Sequence, residues 1–323
     1  GPRTGDAGAM ARVTSRLAAW ATALAVLCAA SAVPASANTT ASANTTGSAS
    51  TAPPDILSAP TLVASTSAGD VGYREVGTGS PVLLIMGFSG SMDFWAPSFV
   101  DALAARHRVI VFDNAGVGDT AALPGPLTIS GMAQQTSALI SALHLRRTAV
   151  LGWSMGGMIA QALAVLHPRQ VSRLVLASTQ AGTGRSLPIP AAAQAALANP
   201  ATALAVLFPP DQTAAAQAYV EGIIQYPGFY GATQAVQAAQ TAAIQQWMAG
   251  QDPAGRRLSR IHAPALVADG TVDQLDPVQN DWLLAQGIPR ARLLLYSDAG
   301  HAFLFQDAAA FVPAAGRFLR SRP

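Results

Sequence analysis
The sequence predicts an α/β fold: a mostly parallel, eight-stranded sheet with helices on both faces and one helical insertion. Three observations carry this. Short apolar runs recur that are too continuous for strands with one wet face, which is the pattern of strands buried on both sides. Segments of helical period separate several of them, as parallel strands require. Between residues 181 and 255 the strand pattern stops, and prolines break an Ala- and Gln-rich stretch into short helices.

In chain order, residues 61–66 and 71–76 read as two short strands joined at Ala68-Gly69-Asp70, a hairpin signal. Residues 81–86 (Pro-Val-Leu-Leu-Ile-Met) and 107–113 read as buried strands, each closed by a glycine-containing turn. Residues 129–143 have helical spacing, with Met132, Leu139, Ile140 and Leu143 on one face. A strand at 148–153 leads into a helix at 155–166, and 171–177 is a strand again. The last strands are 265–268 and 292–296, with a helix at 278–285 between them and another at 311–320. Asp276 reads as the N-cap of the 278–285 helix, with Pro277 at its first position. The insertion at about 181–255 follows a sheet strand. It is expected to cap the carboxyl ends of the strands, where open α/β sheets bind ligands.

The domain reading is then an N-terminal extension and signal peptide (1–37), a low-complexity linker (38–60) and one catalytic-sized domain (61–323). Met10 is followed by Arg12 and Arg16, an apolar run from Leu17 to Ala30, and Ala35-Ser36-Ala37. That order is a secretory signal with cleavage expected after Ala37. The apolar run is too short, and too poor in Leu and Ile, for a stable membrane span. Cys28 is the one cysteine, and the bulky Leu27 before it is a poor match to a lipidation signal. Cleavage would leave a chain with no cysteine, so secretion would rest on core packing without disulfides. Residues 38–60 carry too little bulky apolar surface to pack.

Half the residues are hydrophobic and 11% are charged, which excludes a disordered chain. The net charge of +2 comes from the leader: without Arg3, Arg12, Arg16 and Asp6 the remainder is formally neutral. Nucleic acid is therefore not an expected partner, since phosphate binding needs a basic excess. A single cysteine excludes zinc fingers and iron–sulfur clusters.

The chemistry is expected at Gly152-Trp153-Ser154-Met155-Gly156. The string sits between a strand and a helix, the setting of a nucleophile elbow. Glycines two places either side of Ser154 suit a tight turn, and the N–H of Met155 at the helix start would face a developing oxyanion. A serine hydroxyl needs a neighbouring base. Of five histidines, His107, His144, His167 and His262 sit at element ends or in a loop before a strand, where structural roles are expected. His301, in Asp298-Ala299-Gly300-His301, follows the last strand and can reach the elbow. Asp273 follows the preceding strand and is the expected acid partner, with Asp269 and Asp276 as rivals. The chain order Ser, Asp, His is that of this triad type. The loop Met86-Gly87-Phe88-Ser89-Gly90 offers the N–H of Phe88 as a second oxyanion donor.

From about residue 71 to 318 the chain resembles the α/β-hydrolase superfamily, in its capped serine esterase and lipase-like branch. The resemblance rests on Gly87-Phe88-Ser89-Gly90, the 113–118 stretch, Gly152–Gly157, and the Gly270…Asp273 and Gly300-His301 pair, in family order. Met86 stands where many members have histidine, which marks a Met-Gly oxyanion-loop subgroup. A Ser nucleophile disfavours the epoxide-hydrolase and dehalogenase branches. The resemblance implies hydrolysis of a small-molecule carboxylic ester through an acyl-enzyme, with no metal or organic cofactor. Peptidase, thioesterase or acyltransferase activity on the same residues, and a non-catalytic binding protein on the same shell, are the alternatives. Few acids in the insertion (Asp211, Glu221, Asp252) argue against an aminopeptidase, which must hold an ammonium group.

Overall fold
The computed structural model describes residues 53–320. The signal segment, Cys28, the Ala37 cleavage site and the linker up to residue 52 lie outside the described residues. Eight strands form one sheet: β1 (Leu62–Thr66), β2 (Gly69–Val76), β3 (Pro81–Ile85), β4 (Arg108–Phe112), β5 (Thr148–Trp153), β6 (Val171–Ala177), β7 (Ala265–Gly270) and β8 (Ala291–Tyr296). Their order is β1-β2-β4-β3-β5-β6-β7-β8. Only the β1–β2 and β2–β4 pairings are antiparallel; from β4 to β8 every pairing is parallel.

The pleat sends alternate residues to opposite faces, and the continuous apolar runs fill both. Val82, Leu84, Val109, Val111 and Leu151 join one core with Phe99 and Phe311. Leu83, Ile85, Ile110, Val150 and Leu174 join the other. The first face is covered by α1 (Pro97–Ala104) and α10 (Ala308–Arg320). The second is covered by α2 (Ile129–Ala142), α3 (Met155–Leu166) and α8 (Val278–Gly287). The helix at 97–104 has no counterpart in the sequence reading. It starts on Pro97 with no side-chain cap, and buries Phe99 and Leu103 one turn apart. The last helix starts at Ala308, three residues earlier than the sequence suggested, and a short turn, α9 (Phe303–Gln306), precedes it.

The insertion carries four helices joined by loops, α4 (Ala191–Ala198), α5 (Pro200–Leu207), α6 (Thr213–Ile223) and α7 (Gln234–Met248), and Gly231 makes an isolated β-bridge to Gly90. Pro190 precedes α4, and Pro200 opens α5, whose N-cap Asn199 accepts the Ala201 N–H at 3.0 Å. The 278–287 helix begins differently from expectation. Pro277 is itself the N-cap residue, with extended backbone, and Asp276 lies one residue outside and is fully buried. No helix among the described residues is long and apolar enough to cross a membrane.

Leu84 has no exposed surface and sits at the sheet centre. Leu84→Ala is expected to cost about 2–5 kcal/mol, because the sheet cannot collapse around the void. Urea denaturation of the variant beside the parent measures this; a loss under 1 kcal/mol would contradict the close packing described.

Candidate active site
The turn after β5 is held by steric fit. Ser154 has φ 57° and ψ −123°, a backbone conformation that a non-glycine residue adopts only when its surroundings enforce it. A Cβ on Gly152 would overlap the Gly156 carbonyl, and one on Gly156 would overlap the Ile85 carbonyl of β3. A Cβ on Gly157 would lie 2.6 Å from that of Thr179. Four hydrogen bonds pin the strained residue, the longest from Met158 N–H to Ser154 O at 3.4 Å. Ser154 N–H donates to Ala177 O (2.9 Å), and Ser154 O accepts from Gly157 N (2.8 Å) and Thr179 Oγ1 (2.7 Å).

Gly87 packs directly on this turn: a Cβ there would stand 3.1 Å from that of Ser154. The loop it belongs to is clamped on both sides of the Gly87–Phe88 peptide. Asn114 Nδ2 donates to Met86 O at 2.9 Å, and Gln240 Oε1 of α7 accepts the Ser89 N–H at 2.8 Å. Ser89 is in the left-handed region (φ 61°), and its carbonyl accepts from Ala232 N at 2.8 Å. Ser91 Oγ donates to Tyr230 O (2.6 Å), Tyr219 OH to Phe94 O (3.0 Å) and Tyr226 OH to Trp95 O (2.9 Å). Tyr230 OH in turn donates to Asp113 Oδ2 at 2.5 Å. Burial raises the Asp113 carboxyl to about 7, against the pull of the Tyr230 and Met92 donors. Among the described residues, neither Phe88 N nor Met155 N donates to a protein acceptor.

The third element is the loop after β8. His301 is buried, and its Nδ1 lies 2.6 Å from Asp273 Oδ2. The other Asp273 oxygen accepts from Leu275 N (2.7 Å) and Asp276 N (3.0 Å), so the carboxylate is held from three directions. The His301 carbonyl accepts from Trp153 Nε1 (3.0 Å) and lies 2.9 Å from Ser178 Oγ, whose one proton it shares with Asp269 Oδ1, so this loop meets β5 and the end of β6. The rival acids are elsewhere. Asp269 Oδ1 accepts from Ser178 Oγ and Gly270 N, each at 2.7 Å, and Asp276 Oδ1 accepts from Asn280 Nδ2 at 2.9 Å. Burial holds both carboxyls, and that of Asp281, above the usual range; Asp281 reaches about 8. The other histidines lie apart: His107 Nδ1 is 3.0 Å from Leu103 O, and His167 Nε2 is 2.8 Å from Gln134 Oε1.

Ser154 and His301 line two adjoining cavities of about 120 and 150 Å³. Phe88 and Leu197 are also shared by both. The first runs between Trp153, Leu204, Leu207, Tyr219 and Ile223; the second is bounded by Met158, Ile244 and Leu275, with Gln180, Gln194 and Thr241 as polar spots. Ser154 and His301 form no direct hydrogen bond among the described residues, a looseness common before a substrate is bound. Sequence reasoning pointed to Ser154, Asp273, His301, Phe88 and Met155, and the structure brings these five to one place. It did not point to Gln240, which no local pattern separates from the other glutamines of α7.

Comparison with known proteins agrees with this geometry. The family model for the alpha/beta hydrolase fold matches residues 80–308. The chain is 32% identical over 247 residues to a protein of Azorhizobium caulinodans described as the carbamate hydrolase RutD, covering 72% of this chain and 89% of that one. It is 30% identical over 257 residues to 2-hydroxymuconate semialdehyde hydrolase of Pseudomonas sp. strain CF600, covering 76% and 89%. Among solved structures, an alpha/beta hydrolase fold protein from Chitinophaga pinensis superposes with a TM-score of 0.73 at 25% identity, over 83% of this chain and all of that one. The strand order, the elbow and the matched span together make this chain a member of the α/β-hydrolase fold family.

Proposed function
We infer that the chain is a secreted serine hydrolase that cleaves carboxylic esters of small to medium, mainly apolar substrates. The observation that carries the reading is the Asp273–His301 contact of 2.6 Å beside a cavity lined by a strained, glycine-framed Ser154. Asp273 accepts a hydrogen bond from the Nδ1–H of His301, which keeps the proton on Nδ1 and leaves the Nε2 lone pair as the base. Nε2 takes the Ser154 hydroxyl proton as Oγ attacks the ester carbonyl. The amides of Phe88 and Met155 stabilise the oxyanion of the tetrahedral intermediate. His301 returns the proton to the departing alcohol, and water releases the acyl group by the same route. The apolar lining supports an uncharged substrate, because a charge placed there would lose its water without gaining a partner.

A p-nitrophenyl ester series tests the reaction. Ser154→Ala and His301→Ala are each expected to lower turnover by about 10³-fold or more, and Asp273→Asn by somewhat less. Adding an alcohol beside water distinguishes a hydrolase from an acyltransferase. Unchanged turnover in Ser154→Ala would remove the reading altogether.

The Gln240 contact predicts a second effect. Gln240→Met keeps the side-chain length and removes the acceptor that fixes the Ser89 N–H. Deleting an oxyanion donor outright costs about 10²–10³-fold, so loosening one is expected to lower kcat by about tenfold with KM little changed. Affinity for a trifluoromethyl ketone, which mimics the oxyanion, should fall in parallel. A change confined to KM would place Gln240 in substrate binding instead.

Export is part of the same proposal, supported by the leader alone. Mass spectrometry of the exported protein is expected to give Asn38 as its first residue. An intact 10–37 segment, or a lipid on Cys28, would contradict it.

A further inference from the structure
Three carboxylates that the proposed reaction does not use lie behind the His301–Asp273 pair. Asp269 comes from β7, Asp276 from the loop that follows, and Asp281 from the first turn of α8. One oxygen from each lies within 4.8 Å of the others, and all three residues are wholly buried. Asp269 and Asp276 each have one oxygen satisfied, by Ser178 and Gly270 and by Asn280. Their remaining Oδ2 atoms meet no donor in good hydrogen-bond geometry, although the Gln180 amide stands close enough to Asp276 to oppose the rise in its pKa. The separate observation is Asp281. It enters from a different element, it has no exposed surface, and neither of its oxygens meets a donor in good hydrogen-bond geometry, the nearest side-chain group being the Asp269 carboxyl. No arginine or histidine among the described residues forms an ion pair with any of the three.

A buried carboxylate with no donor and no counter-charge is among the costliest groups a fold can hold. Three converging ones are explained if something positive binds between them. We propose that Asp269, Asp276 and Asp281 form an internal site for a calcium-class divalent cation beneath the loop that carries Asp273. The donors are all anionic oxygens, a hard set that suits calcium, magnesium or manganese and not zinc or copper. Calcium–oxygen distances of about 2.3–2.6 Å put opposed ligands no more than about 5 Å apart, and the observed group fits inside that limit. An enclosed cage of protein oxygens on three elements suits calcium, whereas magnesium keeps several waters.

The site bears on the neighbouring pair through one residue. Asp276 offers its carboxylate to the cage and its backbone N–H to Asp273 Oδ1, at 3.0 Å. A cation that fixes Asp276 therefore also fixes the loop that holds Asp273. The competing account is that the carboxyls keep protons in place of a cation, which their burial would also permit.

The experiment uses the full exported chain and needs no substrate, so it is independent of the ester-hydrolase reading. Elemental analysis of the protein purified without chelator is expected to find about one calcium per chain. Dialysis against EGTA is expected to lower the melting temperature, and calcium chloride, added in excess of chelator, to restore it. Asp281→Asn should lose both the calcium and the response to EGTA. If that variant does not fold, the wild-type measurements decide alone. Absence of retained metal, with no heat of binding and no melting shift in millimolar calcium, would overturn the site in favour of shared protons. Retention of magnesium or manganese instead would overturn the assignment to calcium.

Discussion
The molecule is organised around one crowded crossing, where the turn after β5 passes the end of β3. A Cβ on Gly156 would occupy the space of the Ile85 carbonyl, and one on Gly152 would occupy that of Gly156. The helix α3 can therefore start only where two glycines bring backbone against backbone. That contact forces Ser154 into a positive φ and leaves its side chain no place except above the sheet. The strain is offset by four hydrogen bonds, one to the end of β6, two from the first turn of α3 and one from the 178–180 turn. Gly87 then sits against Ser154 for the same reason, so the elbow and the oxyanion loop are placed by a single packing event.

The loop from Met86 to Trp95 is long and would be mobile if left alone. It is not left alone. Asn114 holds its start from the sheet side, and Gln240, Ala232, Tyr230, Tyr219 and Tyr226 hold the rest from the cap. The loop of His301 is treated alike: Ala302 N–H donates to Leu207 O, at the end of α5, at 2.9 Å. In the proposed reaction, preorganised donors would stabilise charge without reorganisation, and these clamps would supply that preorganisation.

Most of the fold was legible in the sequence because parallel strands buried on both faces are written as unbroken apolar runs. Residues 81–86, 148–153 and 171–177 needed no other signal, and the strand ends fell within about two residues. Ser154 and His301 were legible because glycines mark their turns. The helix at 97–104 is hard to read from sequence because it is 8 residues long, has no side-chain cap and follows the 86–95 loop directly. Its signals were Pro97 at the start and Phe99 and Leu103 one turn apart. The choice between Asp269, Asp273 and Asp276 turned on which carboxylate meets Nδ1, a distance that spacing along the chain does not encode. The convergence of Asp269, Asp276 and Asp281 is hidden in the sequence because Asp269 and Asp276 have local readings, strand end and helix cap, and Asp281 carries no signal of its own within the 278–285 helix. The helix cap fails once Pro277 takes that place, and Asp276 turns inward.

The same cap residues that hold the loops also shape the cavities. Tyr219 lines the first cavity with its ring and bonds Phe94 O with its hydroxyl. Leu207 lines that cavity with its side chain, and its carbonyl holds the His301 loop. On α7, Gln240 binds the oxyanion loop while Thr241 and Ile244, one and four residues on, face the second cavity. A substitution that reshapes either cavity from α5, α6 or α7 therefore moves an element that also positions Phe88 or His301. Under the proposed reaction, substrate choice and rate would be mechanically linked, and would separate only at lining residues that bond none of these elements. Leu197 of α4 is such a position, because it lines both cavities and forms no hydrogen bond to the elbow or to either loop.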